Sequence, residues 1–478
     1  MKKLLIIIAA LLIACPAGAT DHYINAACES ACDGSTWAKG WATFGAAATA
    51  GYVRGDTYYI AGGTYNENVL ITTEESGTSW LTLKKANAAD NGSDAGWNAS
   101  FASDQVVING TFTVYYGYFE LDGVTGSGTS GHGVKINLAT DPAVSGVLVL
   151  ANGTASPRHI HRVEVRGAGI ANTTNGVDGI YWNSLQANTK GLHISYCWIH
   201  ETTRNGVAFG NLAGTSYADY GMLFENNVVS ESGSSVPAIH GQGMQISYAS
   251  VNAYTIIRGN RFRNISGTGN IVYMDGTQAT GANHSQSRVY NNLFYYTDQV
   301  TYPTASPGVI VILGPPEVGF AETTADSIFI YNNTFWNIGS LTVTGASARI
   351  WGLLNQGTNL EVKNNLFVNS YFSTDHYHVD ARSNNDYYNC VGDGVPTGET
   401  GQQTESADPF TNTAAENFTL KATASGAIDH GLDLSSIFTT DFAGTTRGAT
   451  FDIGAYEYGA GVATGTISGA VISGATIK

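Results

Sequence analysis

The chain has 478 residues, 43% of them hydrophobic but only 13% charged, with 58 glycines and a formal net charge of −16. So few Lys, Glu and Arg cannot solvate a mainly helical protein, whereas abundant Asn, Thr, Ser, Gly and Tyr suit strands and tight turns. The acidic balance excludes nucleic acid and an anionic membrane surface as partners, but leaves an acidic polysaccharide open, because bound calcium can reverse the local sign.

At the N-terminus, Lys2 and Lys3 precede an apolar run from Leu4 to Ala14 and then small residues, an export signal over residues 1–19. Two processing sites compete. Ala17-Gly18-Ala19 fits cleavage before Thr20, whereas Leu12-Ile13-Ala14-Cys15 is similar to a bacterial lipobox that would leave Cys15 lipidated, the chain's one link to a membrane. Either reading places the mature protein outside the cytoplasm, extracellular or on the cell surface. In that oxidising setting Cys28 and Cys32 can close a small loop. Cys197 and Cys390 read as buried free thiols.

Residues 20–117 read as an N-terminal cap and first coils, and residues 118–425 as a repeating body. One phrase recurs as "FENNVVS", "IRGNRFRN", "VYNNLFYY", "IYNNTFWN" and "EVKNNLFVN". Aligned on its second polar residue, it places Asn227, Asn260, Asn292, Asn333 and Asn365 in one column. Two residues later come Val229, Phe262, Phe294, Phe335 and Phe367. "LHISYCWIH" fits the same frame with Cys197 in the Asn place. A second phrase, Gly followed by alternating apolar residues, appears as "DGIYW", "NGVAF", "QGMQI" and "PGVIV". The phrases alternate with a period of about 30 to 40 residues, a signature of stacked repeats. Strands this short bury an apolar face only by stacking coil on coil in parallel. The Asn column is expected to take the left-handed corner conformation and to bond amide to amide along the stack, with the Phe column filling the core. Between 118 and 169 the register stays open, since "HGVKI" from His132 and "SGVLVL" from Ser145 both suit the Gly-strand place.

These phrases resemble those of the right-handed parallel β-helix superfamily, which includes pectate lyases. "GDTYYIAGGTYNENVLI", from Gly55, is similar to its opening segment, and "FAGTTRGATFDIGAYEY", from Phe442, to the closing segment of exported members. The resemblance implies an all-β, single-stranded right-handed parallel β-helix (solenoid) with N- and C-terminal caps. Residues 426–458 would close it, and 459–478 would form a flexible Gly/Ala/Thr-rich tail.

A β-helix that acts on polymers commonly uses a groove along one exposed sheet flanked by longer turns. The residues before the repeated Gly are His132, Asp178, Asn205 and Gln242, and the outward residues after it include Lys135, Tyr181 and Gln245. Arg204 and His240 lie just upstream of two of these strands, and Glu201 lies in the adjoining turn. Asp178, Arg204, His240 and Lys135 are the catalytic candidates: Lys135, Arg204 or His240 would remove the proton α to a uronate carboxylate, which a cation or calcium would neutralise. His132, Tyr181, Glu201, Gln242 and Gln245 would contact sugar. The expectation is a lyase-like enzyme on an acidic extracellular polysaccharide; the competing one is a non-catalytic surface protein that binds glycans or self-assembles. No metal ligand set is assigned, and calcium remains open. His159/His161 and His376/His378 each share a strand face, as chelating pairs do, but neither has a third ligand nearby in sequence, so both read as exposed strand histidines.

Overall fold

The computed structural model describes residues 19–459 except 152–155, 183–189, 211, 213–215, 235–238, 240, 248–253, 268, 275–285, 298–309, 314–325, 340–349, 353–357, 373–380 and 393. Short strands are stacked in three long sheets, and the pairings within these sheets are parallel throughout. One coil runs through Leu192–Ser195 in the first sheet, Trp198–His200 in the second and Val207–Gly210 in the third, then returns to the first at Met222–Glu225. The fold is a right-handed parallel β-helix. Inward Val, Ile, Leu and Phe side chains form one continuous core along the stack. Alternation along each short strand produces this, because successive side chains face opposite sides of a sheet.

The corner between the first and second sheets explains the Asn-Asn phrase, with a division of labour between its two residues. The first residue carries the left-handed backbone: Tyr196, Asn226, Gly259, Asn291, Asn332, Asn364 and Asn384 all have φ between +50° and +65°. The second turns its amide into the core. Asn227, Asn260, Asn292, Asn333 and Asn365 each donate Nδ2 to the Oδ1 of the next coil's Asn at 3.0–3.1 Å, ending on Asn385. Each carbonyl oxygen also takes a backbone N–H of the coil before it, as Asn292 does from Asn260 at 2.9 Å. The remaining amide hydrogen reaches a backbone carbonyl, Ile257 O for Asn292 at 2.9 Å. The left-handed conformation expected of the aligned Asn column thus belongs to the residue before it. Cys197 heads the row, its N–H on Asn227 Oδ1 and its thiol buried. Phe262, Phe294, Phe335, Phe367 and Tyr387 stack face to face beside it, 4.5–5.3 Å apart.

At the N-terminal end, helix Phe44–Ala50 buries Phe44 and Ala47 against the first coils, with Phe44 edge-on to Tyr65 and Phe112. Cys28 and Cys32 are disulfide-bonded. From Glu405 onward the chain runs back along the outside of the stack. There the outward Asn of the corner becomes a docking post. Asn291, Asn332 and Asn364 donate to the carbonyls of Thr440, Asp452 and Leu432. Buried Arg447 returns a bond to Asn291 Oδ1, and Phe438 stacks on Tyr290 at 4.6 Å. The proposed signal segment and tail lie outside the described residues, apart from the residues that border them.

Because Asn292 satisfies both of its amide groups inside the core, Asn292→Ala leaves buried partners unmet. The expected cost is about 1–3 kcal/mol, read as a lower urea midpoint with an unchanged slope. A second weak point is Asp386, fully buried beside Glu405, whose other oxygen holds the N–H groups of Gly426 and Ala427. Burial and then the Glu405 charge push the Asp386 carboxyl up from 3.8 to about 7. The folded state therefore holds a proton that the unfolded chain releases, so stability falls as pH rises through that window and levels off above it. Asp386→Asn is expected to gain roughly 4 kcal/mol on the parent at pH 8 and little near pH 4, measured by unfolding at both pH values.

Candidate functional site

The third sheet contains the strands Gly146–Leu150, Asp178–Trp182, Val207–Gly210 and Gln242–Ser247 in adjacent positions. Its repeated Gly is required by close approach: a Cβ on Gly179 would lie 2.4 Å from Ile199 Cγ2, and one on Gly206 would lie 2.3 Å from Val229 Cγ1. Glycine thus lets this strand pass directly over the inward side chains of the second sheet. Ile180, Trp182, Val207, Phe209, Met244 and Ile246 point inward. The alternate positions Val149, Tyr181, Ala208 and Gln245 are paired in a single outward row.

At the head of this row, Asp178 is wholly buried and grips Arg204 in a two-pronged pair, Nε–Oδ1 at 2.7 Å and Nη2–Oδ2 at 2.6 Å. Asn205 continues the chain of bonds. Its N–H goes to Asp178 Oδ1, its Oδ1 accepts from Gln242 N, and its Nδ2 reaches Gln245 Oε1 at 3.1 Å. Donating hydrogen bonds to Asp178 raises Arg204 above its ordinary value, so the guanidinium is a fixed cation. One-third of the Arg204 side chain is exposed, whereas Asp178 is not exposed at all. Burial raises Asp178 and the paired guanidinium opposes that rise. Beneath them, partial burial of Asp141 is outweighed by bonds from Thr203 Oγ1 and three backbone N–H groups, which hold its carboxylate below the usual range.

The structure therefore brings together Asp178, Arg204, Gln242 and Gln245, with Tyr181 on the same sheet. Asp178 is wholly buried and holds Arg204, and Gln242 is buried whereas Gln245 keeps part of its surface. His240 lies outside the described residues.

His132, Lys135 and Glu201 belong elsewhere. "HGVKI" forms the second-sheet strand Val134–Asn137, between Val106–Asn109 and Val163–Arg166, while "SGVLVL" supplies the third-sheet strand of that coil. Lys135 Nζ is tied to Glu164 at 2.6 Å, and Glu164 also receives His200 and Gln105. Burial opposes ionisation of Glu164, but the bonds from His200 and Lys135 hold it at about 2. Glu201 pairs with Arg166 at the next turn. His132 is buried with Nε2 at Tyr196 O, and burial lowers its pKa. Two Gly phrases share this coil; both alternate alike, which leaves their register open in sequence, and only the pairing partners separate them.

Of the aromatic residues that could stack on sugars, Trp182, Tyr295 and Tyr296 are core, and Tyr181 is the half-buried one in the outward row of this sheet. Calcium does not fit Asp178, since both its oxygens are occupied by Arg204. Among the described residues the one group of three metal-competent side chains lies on the first sheet.

Among solved structures, pectate lyase Pel9A aligns with a TM-score of 0.51 at 13% identity, over 91% of this chain and 96% of that one. XylC in complex with xylose gives 0.48 at 11% identity over 91% and 98%. The polysaccharide lyase family 6 alginate lyase AlyGC gives 0.43 at 12% over 76% and 51%. The Pel9A alignment establishes the shared β-helix fold. No protein-family model matches the sequence, and no curated protein does.

Arg204→Ala would strand the buried Asp178 carboxylate, at an expected cost of about 3 kcal/mol. Asp178→Leu combined with Arg204→Met removes both charges and should recover most of that loss. Urea unfolding of the two variants checks the coupling.

Proposed function

We propose that this chain acts on an acidic extracellular polysaccharide by β-elimination beside a uronate carboxylate. The observation that carries the reading is the exposed, rigidly held Arg204 guanidinium at the head of the outward Tyr181–Gln245 row. A planar fork of fixed charge is suited to a sugar carboxylate. Neutralising that carboxylate stabilises the negative charge that develops when the α proton leaves. A base takes the proton, the electron pair forms a carbon–carbon double bond, and the glycosidic oxygen at the β carbon departs with its electrons and is then protonated. By its place in the chain, two residues before Gln242, His240 is the residue assigned to proton removal. Tyr181 and Gln245 would line the sugar path, and Asp178 is a positioning residue. The fold shared with a pectate lyase is compatible with this class of substrate, and the N-terminal export signal would bring the chain to it.

The reading of the same face as a non-catalytic glycan-binding surface is favoured by two facts: Asp178 and Arg204 are paired with each other, and Lys135, a base candidate, lies on the second sheet.

Incubating the purified chain with a panel of uronate polysaccharides, while recording ultraviolet absorbance of unsaturated products, separates the two. The expected result is a rise on one substrate class that persists in chelator, because Arg204 supplies the cation. Arg204→Lys, which keeps the charge but loses the fork, should lower turnover by about 100-fold. A flat trace over the whole panel, with binding retained, would assign the face to recognition alone.

A further inference from the structure

The outward face of the first sheet carries a second constellation, separate from the third-sheet row. Strand Arg158–His161 points His159 and His161 outward, and strand Phe119–Asp122 places Glu120 directly opposite His159. One nitrogen from each ring and one Glu120 oxygen all lie within 4.8 Å of one another. The third ligand that the His-x-His pair lacks in sequence is thus supplied by the preceding coil, and the two histidines are half-buried rather than exposed. We propose that Glu120, His159 and His161 form a binding site for a divalent transition-metal ion, with Zn2+ as the fitting ion.

Geometry and chemistry both support this. His161 Nδ1 meets Ser195 Oγ at 2.7 Å, which orients the ring and leaves Nε2 facing Glu120 Oε1 at 4.0 Å. This is the outer-shell support that metal-bound histidines commonly have. Trp80 packs against the His159 ring, with centroids 4.4 Å apart, and His193 packs edge-on to both rings. Rigid neighbours therefore bound the site on two sides.

Nearby acids already have cations: Asp122 has Arg162, and Glu225 has Arg258. Among the described residues Glu120 has no Lys or Arg within 4.0 Å, and the His161 ring that approaches it is held neutral by burial. Zinc bonds of about 2.1 Å need donors about 3.4 Å apart, so each side chain would close by about 1 Å. Two imidazole nitrogens disfavour calcium and magnesium, which take oxygen ligands. Three protein ligands leave a coordination position for water.

The test uses the full chain expressed without a polyhistidine tag. Calorimetric titration with Zn2+, and Co2+ absorption as a spectroscopic stand-in, should show one equivalent bound and a raised unfolding temperature. His159→Gln with His161→Gln should weaken binding by about 100-fold or more, Glu120→Gln should weaken it measurably, and His376→Ala with His378→Ala should leave it unchanged. Zinc-edge X-ray absorption of the parent protein provides a check that needs no variant, and two imidazoles with oxygen ligands are expected. Absence of stoichiometric binding, an unchanged affinity in the His159/His161 variant, loss confined to the His376/His378 variant, or a spectrum without imidazole scattering would each overturn the site.

Discussion

The corner between the first and second sheets is the constraint on which the rest of the molecule depends. A chain that turns sharply inside a stack would bury backbone groups with no strand partner, and such groups are costly when unmet. The Asn-Asn pair solves both halves of that problem. Its first residue accepts the left-handed backbone that makes the bend, and its second satisfies amides within its own coil and the neighbouring ones. From Cys197 to Asn385 each coil is thereby held in register with the next, and the Phe stack beside the amide row inherits the same spacing.

That register also decides where chemistry can sit. Outward side chains of successive coils are brought side by side, so each sheet acquires its own polar network. The third sheet has Asp178–Arg204–Asn205–Gln245, the second has Lys135–Glu164–His200, and the first has Glu120 with three histidines. Within each network the buried members are paired, which follows from the cost of an isolated buried charge. Some members keep an exposed edge. On the third sheet one such member is Arg204, and its exposure combined with a wholly buried partner distinguishes it from the surface ion pair Lys190–Asp219.

The outward Asn of each corner serves another purpose, which links the stack to its returning C-terminal segment. Asn291, Asn332 and Asn364 satisfy carbonyls of that segment, and Arg447 answers from the other side. The cleft this leaves is lined by Glu225, Arg258, Tyr290 and residues 435–444, so the segment covers part of the first sheet's outer edge.

The sequence by itself determined the β-helix. Short-strand alternation, the repeated corner pair and the recurring Gly are local features, and each coil repeats them within a span that can be aligned by eye. It also pointed to Asp178, Arg204 and Gln245 as near neighbours, because each lies in or just beside the Gly phrase of a successive copy. Only the tertiary structure decided which sheet an outward residue belongs to and which partner it meets. Lys135 alternates just as third-sheet residues do, yet pairing with Val106–Asn109 puts it on the second sheet, with His132 buried just ahead of that strand. Glu120 and His159 belong to different coils, and no spacing rule joins them until parallel pairing sets the two strands side by side. Asp178 looked like an accessible acid and is a buried counter-ion, since exposure is a property of the packed stack and is carried by no single residue.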